Sequence, residues 1–185
     1  MSVGAAVACC ALAAACTSEP APSNTPSPSP AATTPTESQI ERQIRLDYEA
    51  AETAYRANMA EQDRQSRLGV AMKSEQLTVT AGGNYLLFAL QVLRDIRDAG
   101  WHAEGATTIR GIAREGWLED QVRLAACEDN SGVKFADKKG RDVTPKNVVR
   151  TYVQHLTVKR VGGNWKVWDV ESRQVKNYEG VSCAA

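Results

Sequence analysis

The chain has 185 residues, and 22 lysines and arginines balance 22 aspartates and glutamates, so the formal net charge is zero. This balance provides neither the basic field that binds nucleic acid nor an acidic field for cationic partners. Six of the seven prolines precede Thr36, which marks a domain boundary; the roughly 150 residues that follow suit one domain with one core.

The first 15 residues form an uncharged, apolar segment that ends in Ala14 and Ala15, directly before Cys16. Its length fits the apolar region of a signal peptide, and it is shorter than the ~20 residues of a membrane-spanning helix. The pattern resembles bacterial lipoprotein signals, in which cleavage leaves a diacylated cysteine as the new N-terminus. We therefore expect residues 1–15 to be a signal peptide and Cys16 to be lipidated, with a buried Ala-rich helix as the alternative.

The next segment reads TSEPAPSNTPSPSPAATTPT and contains six prolines. It has too little apolar surface to offset the entropy of ordering, so a disordered spacer is predicted. A flexible spacer of this length reaches about 25 Å. The predicted organisation is a signal peptide at residues 1–15, an acylated cysteine with its linker at 16–37, and one α+β domain at 38–185.

Helical periodicity begins after the spacer. Apolar residues recur three or four positions apart along one face of a first helix, namely Ile40, Ile44, Tyr48, Ala51, Tyr55 and Met59. Residues 61–78 predict a short second helix. Residues 85–99 predict a third helix, which follows Gly82 and Gly83 and stops at Gly100.

Strand patterns follow at residues 102–112, 119–128 and 133–136, and a long hairpin follows at 148–175. Gly162 and Gly163 predict a type I′ turn, because both turn positions need positive φ. The predicted register pairs Val161 with Asn164, Val158 with Val167, and Leu156 with Asp169. Asp169 would then lie on the core face of the sheet with Trp165.

Three helices followed by mostly antiparallel strands predict an α+β fold with helices packed on one face of a curved sheet. The segments that carry a more specific resemblance are AETAYRANM, ACEDNSG, VKRVGGNWKVWDVES and the late cysteine. Together they resemble actinobacterial lipoproteins of the nuclear transport factor 2-like (SnoaL-like) superfamily, over residues 39–183. The resemblance implies a cone-shaped α+β roll, which ketosteroid isomerases and polyketide cyclases share; such a fold does not settle function.

The cysteines indicate an oxidising compartment. Once the signal is removed and Cys16 is acylated, Cys127 and Cys183 remain as an even pair. We expect a disulfide between them, with two free thiols as the alternative. Neither has a Cys or His at metal-ligand spacing, so no metal is expected, and no motif predicts a cofactor.

The predicted ligand site lies in the cone between the first and third helices and the concave sheet face. Its expected residues are Tyr48, Tyr55, Leu86, Leu90, Trp101, Tyr152, Trp165 and Asp169. Asp169 is the candidate catalytic carboxylate, with a structural carboxylate as the alternative; the further candidates are His102, His155, Glu119 and Tyr48.

Two functional classes remain open. The first is a non-catalytic protein, lipid-anchored at the extracytoplasmic face of the cell membrane, that binds an envelope protein partner or an apolar small molecule. The second is a small isomerase- or cyclase-like enzyme of the same fold. For location, a secreted protein is the alternative. No nucleic-acid partner is expected.

Overall fold

The computed structural model describes residues 37–146, 150–181 and 183, so the predictions for residues 1–36, including Cys16, lie outside the described residues. The elements follow in the order α1 (Gln39–Leu68), α2 (Gly83–Asp98), β1 (His102–Glu104), β2 (Thr108–Leu118), β3 (Gln121–Asp129), β4 (Lys134–Ala136), β5 (Thr151–Val161) and β6 (Asn164–Gln174). Among these residues, no helix combines the length and the apolar character that crossing a membrane requires.

The first helix is longer than the sequence pattern predicts. It begins at a capping box, in which Ser38 and Glu41 each accept a hydrogen bond from the other's backbone N–H. It continues through residue 68, so the prediction of a separate helix over 61–78 is wrong. No glycine lies within Gln39–Leu68, and Gly69, with a φ of 55°, ends the helix; two short 3-10 helices follow, Gly69–Ala71 and Ser74–Val79.

Four antiparallel strands form the main sheet, in the order β2-β3-β5-β6, and β1 pairs with β4 in a separate ribbon. The predicted strand at 102–112 is therefore two strands, divided around Gly105, whose φ is 82°. Both helices pack on one face of the curved sheet. The predicted α+β plan, with helices on one face of an antiparallel sheet, is confirmed.

The long hairpin turns where the glycine pair predicts. Gly162 and Gly163 have φ values of 58° and 82°, as a type I′ turn requires. The predicted pairs Val161–Asn164 and Val158–Val167 are present.

The predicted pair Leu156–Asp169 is wrong, because Leu156 pairs with Val170 and Asp169 pairs with Thr157. Trp168 is an extra, unpaired residue in β6, and such a β-bulge moves every later residue by one position. Asp169 consequently lies exposed on the outer face instead of on the core face.

The two faces of the sheet are covered differently. The inner face packs against α1 and α2 in the main core, which includes Tyr55, Leu93, Leu124, Leu156 and Val167. The outer face is covered by the C-terminal segment, which includes Val175, Tyr178 and Val181 and is fixed by the disulfide Cys127–Cys183. The predicted disulfide is confirmed.

Candidate functional site

A cavity of about 360 Å³ opens between the two helices and the inner face of the sheet. The positions of its lining residues follow from local periodicity, because residues three or four apart share one helix face and alternate residues share one strand face. Most of its wall is apolar. The apolar wall residues include Met59, Phe88, Val92, Ile96, Phe135, Leu156 and Val170.

Glu128 is the buried carboxyl group of this cavity, with only 5% of the residue exposed. Tyr55 on α1 donates its hydroxyl hydrogen to Oε1, and Gln154 on β5 donates from Nε2 to Oε2 at 3.2 Å. Burial raises the pKa of Glu128, and the negative charge of Asp63 adds to this, against the lowering effect of the two hydrogen bonds. The site therefore holds a carboxyl group whose neutral form is favoured relative to an exposed glutamate.

A second polar cluster supports the wall that α1 and α2 form. Tyr85 donates its hydroxyl hydrogen to Asn58 Oδ1 at 2.8 Å, and Gln62 Nε2 donates to the Tyr85 oxygen at 2.6 Å. Asn58 is fully buried, and its Nδ2 donates to Thr80. Because each of these groups has a partner, the cluster fixes the spacing between the two helices.

Asp63 and Arg150 are the other charged side chains in the cavity wall. Thr107 holds Asp63, since its backbone N–H donates to Oδ2 at 3.1 Å and its hydroxyl donates to Oδ1 at 3.2 Å. Partial burial nevertheless raises the pKa of Asp63. Arg150 directs Nη1 to the main-chain oxygens of Asn130 and Val133, in the turn between β3 and β4.

Of the eight residues expected around a ligand, Tyr152 lines this cavity. Tyr48 and Tyr55 are buried in the core, and Leu86 and Leu90 pack against it from α2. Trp101 contacts the wall residue Phe135, with 6.1 Å between ring centroids, and is not among the described residues that line the cavity. Trp165 lies beside a separate shallow groove at the end of the hairpin, and Asp169 is exposed on the opposite sheet face.

The other catalytic candidates lie elsewhere. His102 is in the β1–β4 ribbon, and Glu119 is exposed in the turn between β2 and β3. His155 points to the outer face, where its Nδ1 lies 2.9 Å from Glu115 Oε1. Tyr48 lies beneath the Arg114 guanidinium, 5.0 Å from the ring centroid. None of these four is among the described residues that line the cavity.

Sequence reasoning missed Glu128, although a signal for it existed. Val122, Leu124 and Ala126 alternate along β3 toward the core, and all three are fully buried. Extending this alternation by two residues places Glu128 on the same inner face. A charged residue in phase with a buried strand face is uncommon unless it has partners.

Among residues 37–146, 150–181 and 183, no three His, Cys, Asp or Glu side chains are arranged to ligate a metal ion. The cavity wall offers carboxyl, phenol, amide and guanidinium groups around an apolar space.

Replacing Glu128 with glutamine is expected to change how stability depends on pH. Because burial raises the pKa of Glu128 in the folded state above its ordinary 4.5, the native protein holds this proton more tightly than the unfolded chain. This contribution to stability is fully present below the unfolded pKa and is lost as the pH rises through the folded pKa. Glu128→Gln does not titrate, so its melting temperature should rise relative to wild type as pH increases.

Thermal unfolding of both proteins between about pH 4 and about pH 8 measures this difference. A difference in melting temperature that stays constant over that range would contradict the assignment of a raised pKa to Glu128.

No protein-family profile and no curated protein matches the chain. Among solved structures, the intermembrane space region of the chloroplast protein ARC6 is similar at 16% identity, covering 68% of this chain and 97% of that one, with a TM-score of 0.46. Aln2 from a Streptomyces species is similar at 14% identity, covering 70% and 90%, with a TM-score of 0.42.

The hexachlorocyclohexane dehydrochlorinase LinA-type3 from Novosphingobium barchaimii is similar at 16% identity, covering 71% of this chain and 89% of that one, with a TM-score of 0.41. At these identities and scores, the similarities carry no conclusion about ligand, reaction or partner.

Proposed function

We propose that this chain is a lipid-anchored, ligand-binding protein of the nuclear transport factor 2-like (SnoaL-like) superfamily, in which the cavity takes up a small, mostly apolar molecule. The observation that carries the binding function is the cavity of about 360 Å³, with an apolar wall and Glu128 buried within it. Concave, mostly apolar spaces with a few convergent polar groups are the usual form of small-molecule sites.

The exposed residues at α2 support the same proposal. Phe88 and Val92 line the cavity, yet they are 54% and 39% exposed. Exposed apolar side chains that border a cavity are typical of ligand-binding grooves. An entering ligand can contact these two side chains without displacing them from the protein core.

Blocking the cavity at α2 tests this proposal. Val92→Trp adds an indole at the cavity wall, whereas Leu87→Trp adds one on the same helix at a position that is 65% exposed and outside the cavity lining. In a thermal-shift screen with steroid and polyketide-like aromatic compounds, we expect wild type and Leu87→Trp to be stabilised by the same compounds. Val92→Trp should lose at least about 10-fold in affinity, or about 1.4 kcal/mol. Equal affinity of all three proteins for a compound would place its site outside the cavity.

The lipid anchor rests on the apolar segment that ends in Ala14, Ala15 and Cys16, followed by the Pro-rich spacer. Diacylation supplies the two chains that stable anchoring needs and would hold the domain at the extracytoplasmic membrane face. Mass spectrometry of the native N-terminal peptide should find acylated Cys16 as the first residue. Cys16→Ala should move the protein from the membrane fraction to the soluble fraction; an N-terminus at another residue without acyl chains would contradict the anchor.

A second function is favoured by Glu128 itself. A buried carboxyl group with a raised pKa beside an apolar cavity has the properties of a general acid or base. On this alternative, the protein is a small isomerase or cyclase that moves a proton of the bound molecule. Glu128→Gln would then abolish turnover and leave binding of the same compound intact, whereas a pure binding protein would show no turnover before or after the change.

A further inference from the structure

The described part of the domain places arginine beside most of its sheltered carboxylates. Asp47 is 3% exposed and pairs with Arg160, and Asp129 pairs with Arg110 at 2.7 Å. Further pairs of this kind are Glu52 with Arg114, Glu61 with Arg64, and Asp137 with Arg141. A sheltered carboxylate is costly without a counter-charge, and arginine supplies both charge and hydrogen bonds.

The two carboxyl groups that line the cavity depart from this pattern. Asp63 is bonded by Thr107, and Glu128 is bonded by Tyr55 and Gln154, so all of these donors are neutral. Neither carboxyl group makes an ion pair with a described residue. Asp63 and Glu128 line the same cavity, and the negative charge of Asp63 contributes to the raised pKa of Glu128.

Arg150 does not fill this role, although it lines the same cavity. Its Nη1 donates to the main-chain oxygen of Asn130 at 3.2 Å and to that of Val133, which holds the guanidinium at the β3–β4 turn. It forms no ion pair with Asp63 or Glu128 within the described residues. The charge of Arg67 lowers the pKa of Asp63 from beyond ion-pair distance, while its Nη1 donates to the main-chain oxygen of Gly105. Among the described residues, the two carboxyl groups of the cavity therefore have no cation in direct contact, and an apolar wall surrounds them.

We propose that the ligand of this cavity is an apolar amine, whose ammonium group binds between Asp63 and Glu128 while its hydrocarbon body fills the apolar wall. This inference rests on the proposed ligand-binding function and names the class of ligand. An ammonium group offers three donors and one positive charge, so it can serve both carboxylates at once. It also removes the repulsion between them and offsets the cost of their burial, which a neutral ligand cannot do.

Three probes of nearly equal size and shape test the charge preference: 1-naphthalenemethylamine, 1-naphthalenemethanol and 1-naphthoic acid. Titration calorimetry on the wild-type protein at neutral pH should rank the amine first, at least about 10-fold above the alcohol, because charge-assisted hydrogen bonds are stronger than neutral ones. The acid should bind weakest, since its carboxylate would face two others.

The double variant Asp63→Asn, Glu128→Gln keeps the shape of both side chains and removes both charges. We expect it to lose at least about 10-fold in affinity for the amine, so that the amine no longer binds more tightly than the alcohol. Asp63→Asn alone changes a half-buried position and should lose part of the affinity for the amine. If the double variant does not fold, this single variant provides the test.

The outcomes separate this inference from the proposed function. Equal binding of amine and alcohol to wild type would overturn the amine preference and leave the cavity as a binding site for neutral apolar molecules. Tightest binding of the acid would overturn it in favour of Arg150 as the recognising group. Failure of all three probes to bind would count against both the amine preference and the ligand-binding function.

Discussion

Cys183→Ser is expected to lower the free energy of unfolding by roughly 4 kcal/mol, the value that chain entropy assigns to a loop of this length. The disulfide joins residues 56 positions apart and so restricts a large part of the unfolded chain. It also holds the C-terminal segment on the outer sheet face, where Tyr178 donates its hydroxyl hydrogen to the main-chain oxygen of Glu128. Without the bond, this segment should separate from the sheet more readily.

Urea denaturation of the oxidised proteins measures the loss. A matched control is available, because a reductant should shift the midpoint of the wild type toward that of Cys183→Ser and leave the variant unchanged. Identical midpoints for the oxidised wild type and the variant would show that the disulfide does not stabilise the folded state. The cavity lies on the opposite face of the sheet, so we expect ligand affinity to persist in the folded variant.

Gly83→Ala is expected to destabilise the domain by about 3 kcal/mol, the second large effect. Gly83 has a φ of 54°, where a residue with a Cβ is strained by about 1–2 kcal/mol. A Cβ there would also lie 2.6 Å from the main-chain oxygen of Trp168 and 2.7 Å from its indole Nε1. The start of α2 would have to move away from β6, which disturbs the helix that forms one wall of the cavity.

Gly162→Ala is the matched control. Its φ is 58°, and apart from its chain neighbours no atom lies within 4 Å of an added Cβ, so it should show the conformational cost alone, about 1–2 kcal/mol. The difference between the two variants in chemical denaturation reports the contact with Trp168. Equal losses in the free energy of unfolding would mean that β6 moves away from the added Cβ of Gly83→Ala without a measurable energetic cost.

The sequence by itself determined the features that depend on neighbouring residues. The helical spacing of Tyr48, Ala51 and Tyr55 predicts a buried face, and all three are buried. The glycine pair predicts the hairpin turn, because a type I′ turn needs positive φ at two consecutive positions. Likewise, the even pair of cysteines predicts the disulfide that the structure contains. Each of these rests on local geometry or on chemistry that needs no knowledge of the packing.

Only the tertiary structure decided the register beyond the middle of the hairpin. Trp168 packs on Gly82 and Gly83, and the segment before α2 bonds to the edge of β6, since Val167 accepts from the Gly82 N–H and donates to Thr80 at 2.9 Å each. These contacts accompany the bulge that moves Asp169 to the outer face. Strand alternation cannot anticipate an extra residue whose side chain packs against a segment far away in the chain.

The candidate site itself was decided in the same way. Tyr55 and Glu128 are 73 residues apart, and the second oxygen of Glu128 is bonded by Gln154 from another strand. Alternation along β3 can place Glu128 on the inner face, but it cannot say whether an arginine will pair with it there. That depends on which side chains α1 and β5 bring to the cavity, because the electrostatics of a buried carboxyl group are set by neighbours that are distant in the sequence.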